Sequence, residues 1–274
     1  MSRILLLVAL AATTAGGQAA DGAAADRTAI RQAALDYAEG YFEGSGERME
    51  RAVSPLLSKR GLMTRPGVAA FLVQMNAETL IEAARQGGGK LPPDERRLTV
   101  EVMDVTGEVA SARVFTSQFD DYLHLVKRNG RWQLLSVLWH APPPAGAPAD
   151  SAQVERAIRD YVAALAGGDA DRARAVVHPD ANLRTFTPAP QGRPRIVREQ
   201  NLETLAAALA SGQLKMGIRV EDAHVTVFGV DADIASGAMT IGPTTTYLHL
   251  ANQSGVWRIV NALACPPLPG PPSR

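Results

Sequence analysis

The sequence predicts an α+β protein in which one domain is stated twice. Three observations carry that reading. Tyr122-Leu123-His124-Leu125 returns as Tyr247-Leu248-His249-Leu250, and Gly130-Arg131-Trp132 as Gly255-Val256-Trp257, both displaced by 125 residues. Ile30, Tyr37 and Pro55 answer to Val154, Tyr161 and Pro179 at a displacement of 124. In each copy, helical periodicity comes first and extended apolar sequence follows it. A repeat of this length is domain-sized, far longer than a solenoid unit that needs neighbours to complete its core.

Taken in order, residues 1–20 read as a cleavable secretory leader. Arg3 supplies its positive start, Ile4 to Ala12 its apolar stretch, and Gly17 and Ala19 suit the cleavage positions; a second possible cut follows Ala25. The apolar stretch falls short of the ~20 residues needed to cross a bilayer, so no membrane span is expected. No cysteine stands near the cut, so neither is a lipid anchor. The chain is thus expected to be secreted or periplasmic.

The first domain is expected over residues 26–141. Ile30, Ala34, Tyr37 and Tyr41 form one helical stripe, Asp26 stands where an N-cap belongs, and Gly44 ends the helix. A short second helix should follow, then a third carrying Val68, Phe71, Leu72, Met75 and Thr79. From Leu98 to His140 the pattern is extended. Residues 142–149 form a stiff proline-rich linker. The second domain, 150–265, repeats the plan: an Asp150 cap, a stripe of Val154, Ile158, Tyr161, Val162 and Leu165, a Gly167-Gly168 stop, and a helix with Leu202, Leu205, Ala206 and Leu209. Ile218 to Cys265 is extended, and residues 266–274 form a proline-rich tail.

Asn129-Gly130 is a strong two-residue hairpin signal. An unbroken register from that turn sets His124 opposite Leu135 and places Tyr122, His124, Val137 and Trp139 on one face. The other face then holds Asp121, Leu123, Leu138 and His140. Both faces are largely apolar, so both must be covered. Helices can cover one, and the second copy is the natural cover for the other. The expected assembly is a monomer with an internal pseudo-dimer.

Lys+Arg and Asp+Glu are both 28, so the chain carries no net charge and no electrostatic footprint for nucleic acid. Cys265 is the only cysteine, which excludes an internal disulfide and zinc sites built from several thiolates. Its partner in the other copy is His140.

Helices followed by a long antiparallel sheet, in a unit of this size, resemble the nuclear transport factor-2-like superfamily. The first copy is similar to its putative lumazine-binding family. The similarity lies in Tyr41-Phe42-Glu43-Gly44, Pro55, Lys59-Arg60, Val102 to Gly107, and Asp121 to Lys127 running into Gly130-Arg131-Trp132. In the second copy Thr246 replaces Asp121, and the Lys59-Arg60 pair has no evident counterpart. The resemblance implies two cone-shaped α+β rolls, each with a pocket between its helices and the concave sheet face, paired sheet to sheet. It does not imply lumazine binding. Relatives of the fold include isomerase-like and dehydratase-like enzymes, cyclases and non-catalytic assembly modules, and fold alone does not choose among them.

The candidate ligand-binding residues are Tyr37, Tyr122, His124, Trp139, Tyr161, Tyr247 and His249. Tyr122/His124 and Tyr247/His249 each project together from a strand, and could orient a small hydrophobic or aromatic ligand. They could equally be amphipathic core residues with one hydrogen-bond partner each. For catalysis, Asp120 is the carboxylate on the Tyr122 face, a possible base with Tyr122 or Tyr37 as donor to an oxyanion. No catalytic set is assigned, and the paired-carboxylate arrangement of ketosteroid isomerases cannot be matched. No metal or cofactor is expected: His124 and His140 fall on opposite faces of the unbroken hairpin, and no His-Glu-x-x-His segment occurs. Gly87-Gly88-Gly89-Lys90 continues into Leu91-Pro92 and reads as a connection, not a phosphate loop. The function expected is small-molecule binding or a scaffold role, with an isomerase, dehydratase or cyclase in the first pocket as the alternative.

Overall fold

The computed structural model describes residues 12–65, 67–141, 150–188, 194–214 and 217–267. The first eleven residues of the expected leader, the expected linker at 142–149 and most of the expected tail, residues 268–274, lie outside them.

Each half is a set of helices laid on one face of a six-stranded mixed sheet. In the first half, α1 (Ala12–Glu43) and α2 (Gly46–Ala52) precede β1 (Val53–Arg65) and β2 (Val68–Asn76). Then come α3 (Ala77–Arg85), β3 (Leu98–Thr106), β4 (Val109–Thr116), β5 (Asp120–Arg128) and β6 (Arg131–His140). The second half repeats this with α4 (Ser151–Gly167), α5 (Ala170–Val176), β7 (Val177–Thr187), β8 (Ile196–Gln200) and α6 (Leu202–Ala210). Its meander is β9 (His224–Asp231), β10 (Ile234–Ile241), β11 (Thr244–Gln253) and β12 (Val256–Cys265). The strand orders are β2-β1-β6-β5-β4-β3 and β8-β7-β12-β11-β10-β9, so one topology serves both halves. β1 pairs with β6, and β7 with β12, in parallel; the other ladders are antiparallel. Pro55 and Pro179, which have no N–H to give, fall where the two parallel ladders lose register.

The helix stripes bury as their spacing requires. Ile30, Ala34, Tyr37 and Phe42 pack on Leu123, Leu125, Trp132, Leu134 and Val137. Val154, Ile158, Tyr161 and Leu165 pack on Leu248, Leu250, Trp257 and Ile259. Gly44 and Gly168, at φ 73° and 67°, end the long helices in the left-handed conformation that glycine adopts freely. Asp150 caps α4 by accepting from the Gln153 amide at 3.0 Å.

Three local expectations are corrected. Asp26 is no N-cap, because α1 runs through it; its carboxylate instead accepts from Trp132 Nε1 at 2.9 Å and Lys127 Nζ at 2.6 Å. Val68 to Met75 is strand, not helix, and the helix starts only after Asn76, whose side chain caps it through the Thr79 amide at 2.9 Å. A run of aliphatic and aromatic residues suits either period, and pairing with β1 decided it. Third, the hairpin register holds from Arg128↔Arg131 to Leu125↔Leu134, then breaks: His124 faces Ser136, leaving Leu135 as an extra residue. This bulge turns over the outer half of β6. Trp139 and Val137 therefore share a face with Asp121 and Leu123, while His140 and Leu138 join Asp120, Tyr122 and His124. The second copy has the same bulge at Val260.

The face away from the helices meets its counterpart in the other half, as both apolar faces demand. Val109, Val126 and Leu135 pack with Phe186, Tyr247 and Leu263; Leu62, Tyr122 and Leu138 pack with Ile234, Ala251 and Val260. Equivalent residues meet across a pseudo-two-fold axis. Ser111 Oγ lies 3.3 Å from Ser236 Oγ, and the His124 and His249 rings stack with centroids 3.5 Å apart.

Candidate functional site

The first half carries a small aromatic cavity between α1, α3 and the helix-covered face of the sheet. Tyr37, Tyr41, Lys59, Met75, Leu80, Phe119 and Trp139 line about 90 Å³. Phe119 is the hub of its wall, with ring centroids 6.5 Å from Tyr37, 6.1 Å from Tyr41 and 5.7 Å from Phe42. Two glycines allow the close approaches. A Cβ at Gly61 would fall 2.4 Å from the Trp139 indole, and one at Gly89 would fall 2.0 Å from the Tyr41 ring. The Gly87 to Gly89 connection thus seats a wall of the cavity.

At the floor stand opposite charges. Lys59 Nζ lies 3.1 Å from Asp121 Oδ1 and also donates to the Tyr37 hydroxyl, which itself donates to Asp121 Oδ2 at 2.6 Å. Lys59 is 6% exposed and Asp121 1%, so the pair is cut off from bulk water. The ammonium sits 5.1–5.4 Å from the ring centroids of Tyr37, Phe119 and Trp139, a range that favours cation–π attraction. Burial lowers the Lys59 pKa and raises that of Asp121, while their mutual attraction opposes both shifts. Burial, and then the Asp121 charge, push the Tyr37 phenol well up, so it stays protonated and donating.

The second half has a matching cavity of about 140 Å³, lined by Tyr161, Leu183, Arg184, Thr246 and Ala264 among others. Lys59 lies opposite Val137 and Leu183 opposite Ala262, so Leu183 stands in for the lysine. Thr246 stands in for Asp121, and Ala264 for Trp139. Both members of the ion pair are gone together. Tyr161 keeps its place, and burial pushes its phenol up to about 12. Arg60, by contrast, does have a counterpart. Arg184 occupies its position, which corrects the expectation that the pair was wholly missing.

Of the seven candidate residues, Tyr37 and Trp139 line the first cavity and Tyr161 the second. Tyr122, His124, Tyr247 and His249 lie in the contact between the halves and line neither cavity. Tyr247 donates to Asp104 Oδ2 at 2.8 Å, and His249 Nδ1 lies 3.3 Å from the Asn261 amide nitrogen. Both His124 nitrogens are buried without a hydrogen-bond partner among the described residues. Burial takes the His124 pKa down to about 3. Asp120 also lies on the inter-domain face, away from the first cavity, so it is not placed to serve there as a base. Lys59 and Asp121 entered the sequence reading only as residues of the family resemblance that differ in the second copy, not as site residues, and Phe119 did not enter it. One signal could have found the ion pair: its two members disappear together in the second copy. A wider cleft of about 740 Å³ between α2, α3 and β1 is rimmed by Glu50, Glu78 and Glu82, which all face solvent.

This pair of helix-on-sheet units defines a tandem α+β roll. The chain belongs to the family described as "Putative lumazine-binding", whose model matches it twice, over residues 25–140 and 149–263. No curated protein matches it. Among solved structures, it is similar to an NTF2-like protein of unknown function from Shewanella baltica, at 23% identity and TM-score 0.39, covering 44% of this chain and 96% of that one. A second NTF2-like protein of unknown function, from Silicibacter pomeroyi, is 17% identical at TM-score 0.38, covering 43% and 98%. A ketosteroid isomerase-like protein from Erwinia carotovora atroseptica is 15% identical at TM-score 0.32, covering 43% and 96%. Among the described residues no helix is long and apolar enough to cross a membrane.

Proposed function

We propose that the first domain binds a small flat molecule in its aromatic cavity, with an acceptor or anionic atom of that ligand meeting the Lys59 ammonium. The second domain is its packing partner. One observation carries this reading: a buried Lys59–Asp121 pair at the cavity floor of one copy, replaced by Leu183 and Thr246 in the other. Burying an ion pair seldom stabilises a fold relative to apolar residues of similar size. The second copy shows that the roll closes without it. Aromatic walls supply stacking surface, and the ammonium supplies direction. A cavity of about 90 Å³ bounds the ligand to about one ring, well below the ~300–1,000 Å³ of sites for drug-sized molecules.

The test installs the second copy's residues in the first. Lys59→Leu/Asp121→Thr should fold and lose saturable binding of small aromatic carboxylates and phenols, read by ligand-observed NMR on the full chain. Equal binding by the variant would end the proposal. A second reading rests on the hydrogen-bonded Tyr37–Asp121–Lys59 set, which could hold and move a proton at an enolisable substrate, as an isomerase, dehydratase or cyclase requires. Solvent deuterium entering a bound ketone, and failing to do so in the double variant, would favour it. Export to the periplasm or beyond is supported by the leader pattern in residues 1–20. N-terminal sequencing of the exported protein should find a start at Ala20, or at Asp26 if the second cut is used; a start at Met1 or Ser2 would refute it.

A further inference from the structure

A second polar cluster lies at one end of the contact between the halves, away from the cavity. Asp120 and His140 face each other at the ends of β5 and β6, and Asp231, at the end of β9, comes up to them from the other domain. One carboxylate oxygen from each aspartate and one ring nitrogen of His140 lie within 4.8 Å of one another. Asp120 is 8% exposed and His140 7%, and Nε2 of His140 has no hydrogen-bond partner among the described residues. Arg113 pairs with Oδ2 of Asp231, its guanidinium held 3.3 Å from the Phe115 ring centroid.

Packing does not require these residues. At the opposite end of the same contact the pseudo-two-fold axis places Thr245 for Asp120, Cys265 for His140, Thr106 for Asp231 and Ala238 for Arg113. Thr245 and Cys265 face each other just as Asp120 and His140 do. At that end the four equivalent positions are small and neutral, and the charges beside them, Arg195 with Glu108, already pair with each other at 2.9 Å. The first end gathers two carboxylates and an imidazole against a single guanidinium, which leaves negative charge over.

We propose that Asp120, His140 and Asp231 form a site for one divalent metal ion of the zinc class, bridging the two domains. One imidazole nitrogen and two carboxylate oxygens make a donor set that suits zinc or manganese. At metal–ligand distances of ~2.0–2.2 Å, donors on a tetrahedral ion sit ~3.4 Å apart, so the present separations close with side-chain movement of about 1 Å. Three protein donors leave a coordination position for water at this edge. Arg113 offsets part of the carboxylate charge, and so limits the site to modest affinity.

The experiment is a titration of the full chain with Zn²⁺ alone, by calorimetry in a non-chelating buffer, with native mass spectrometry for stoichiometry. One ion per chain is expected, with a melting temperature that rises with zinc and falls back with chelator. Asp120→Thr and Asp231→Thr each install the residue used at the other end of the contact. Each should weaken binding by more than the ~10–100-fold typical of losing an outer partner. Co²⁺ in the wild type should show a ligand-field absorption band that His140→Ala abolishes. If Asp231→Thr fails to fold, Asp120→Thr and the cobalt spectrum still decide. Absence of saturable binding, or binding unchanged by Asp120→Thr, overturns the site and leaves an ion-pair network neutralised by Arg113. Neither outcome bears on the Lys59 cavity, whose ligand is assayed separately.

Discussion

Lys59 and Asp121 hold opposite charges where water does not reach, so each depends on the other. Removing one partner strands the other's charge, and Lys59→Leu or Asp121→Thr alone should destabilise the protein by about 3–5 kcal/mol in urea melts. The double variant should fall within about 1 kcal/mol of the wild type, and a loss as large as the single ones would mean that the pair is part of the framework. The stacked histidines make a different prediction. His124 is fully buried, packed on His249, with Arg184 and Arg60 charges nearby and Tyr122 and Tyr247 beside the rings. Its folded pKa is about 3 against 6.5 when free, so below 6.5 the unfolded chain binds the proton more readily. Stability should therefore fall as pH drops from about 6.5 toward 3, by about 2 kcal/mol at pH 5 from His124 alone. His124→Leu should flatten that slope in urea midpoints measured from pH 7 to 4.5. The types and repeat positions of these residues were legible in the chain. The functional weight of Lys59 and Asp121 was not, because they stand 62 residues apart and meet only when β1 and β5 share a sheet.

Among the elements, the hairpin of β5 and β6 decides most. Its turn was readable from Asn129-Gly130, and its inner register followed; the bulge at Leu135 was not readable. The bulge has a cause in the assembly. Arg184 of the second domain donates to the Leu135 carbonyl at 2.7 Å and to Ser136 Oγ at 3.2 Å. Arg60 does the same in mirror role, reaching the Val260 carbonyl and, at 2.8 Å, Asn261 Oδ1. A carbonyl freed from its ladder meets a buried guanidinium that needs an acceptor. Deleting Leu135 should leave Trp139 opposite Asp121 in an unbroken ladder, so its indole fluorescence should keep its wavelength while the loss of Arg184's carbonyl acceptor costs about 1–3 kcal/mol in urea melts; a red shift would mean that the outer register had slipped instead. Trp132 and Trp257 anchor the same hairpins at 4% and 7% exposure. Trp132→Ala and Trp257→Ala should each cost about 3–5 kcal/mol, measured by denaturant melts, and a loss under about 1 would remove them from the core.

For the whole molecule, each sheet has two apolar faces and only one set of helices. The other face is covered by its repeat, and the linker makes that meeting intramolecular, at an effective concentration of roughly millimolar or more. We expect native mass spectrometry of the mature chain to show a monomer; an obligate homodimer would contradict it. The second domain produced alone should self-associate through the Tyr247/His249 face. The two ends of the shared contact differ in chemistry, and so do the two cavities. The two copies share one fold and differ in the polar groups it carries.

What the chain by itself determined was its duplication, the α+β class, the helix stripes, the hairpin turns and the need to cover both sheet faces. Those follow from local periodicity and from apolar surface that must leave water. What only the tertiary structure decided was which face each side chain took beyond the bulge, and which charged residues met. One extra residue in a strand exchanges its two faces, and the guanidinium donors that satisfy that extra residue's carbonyl come from 49 residues away or farther.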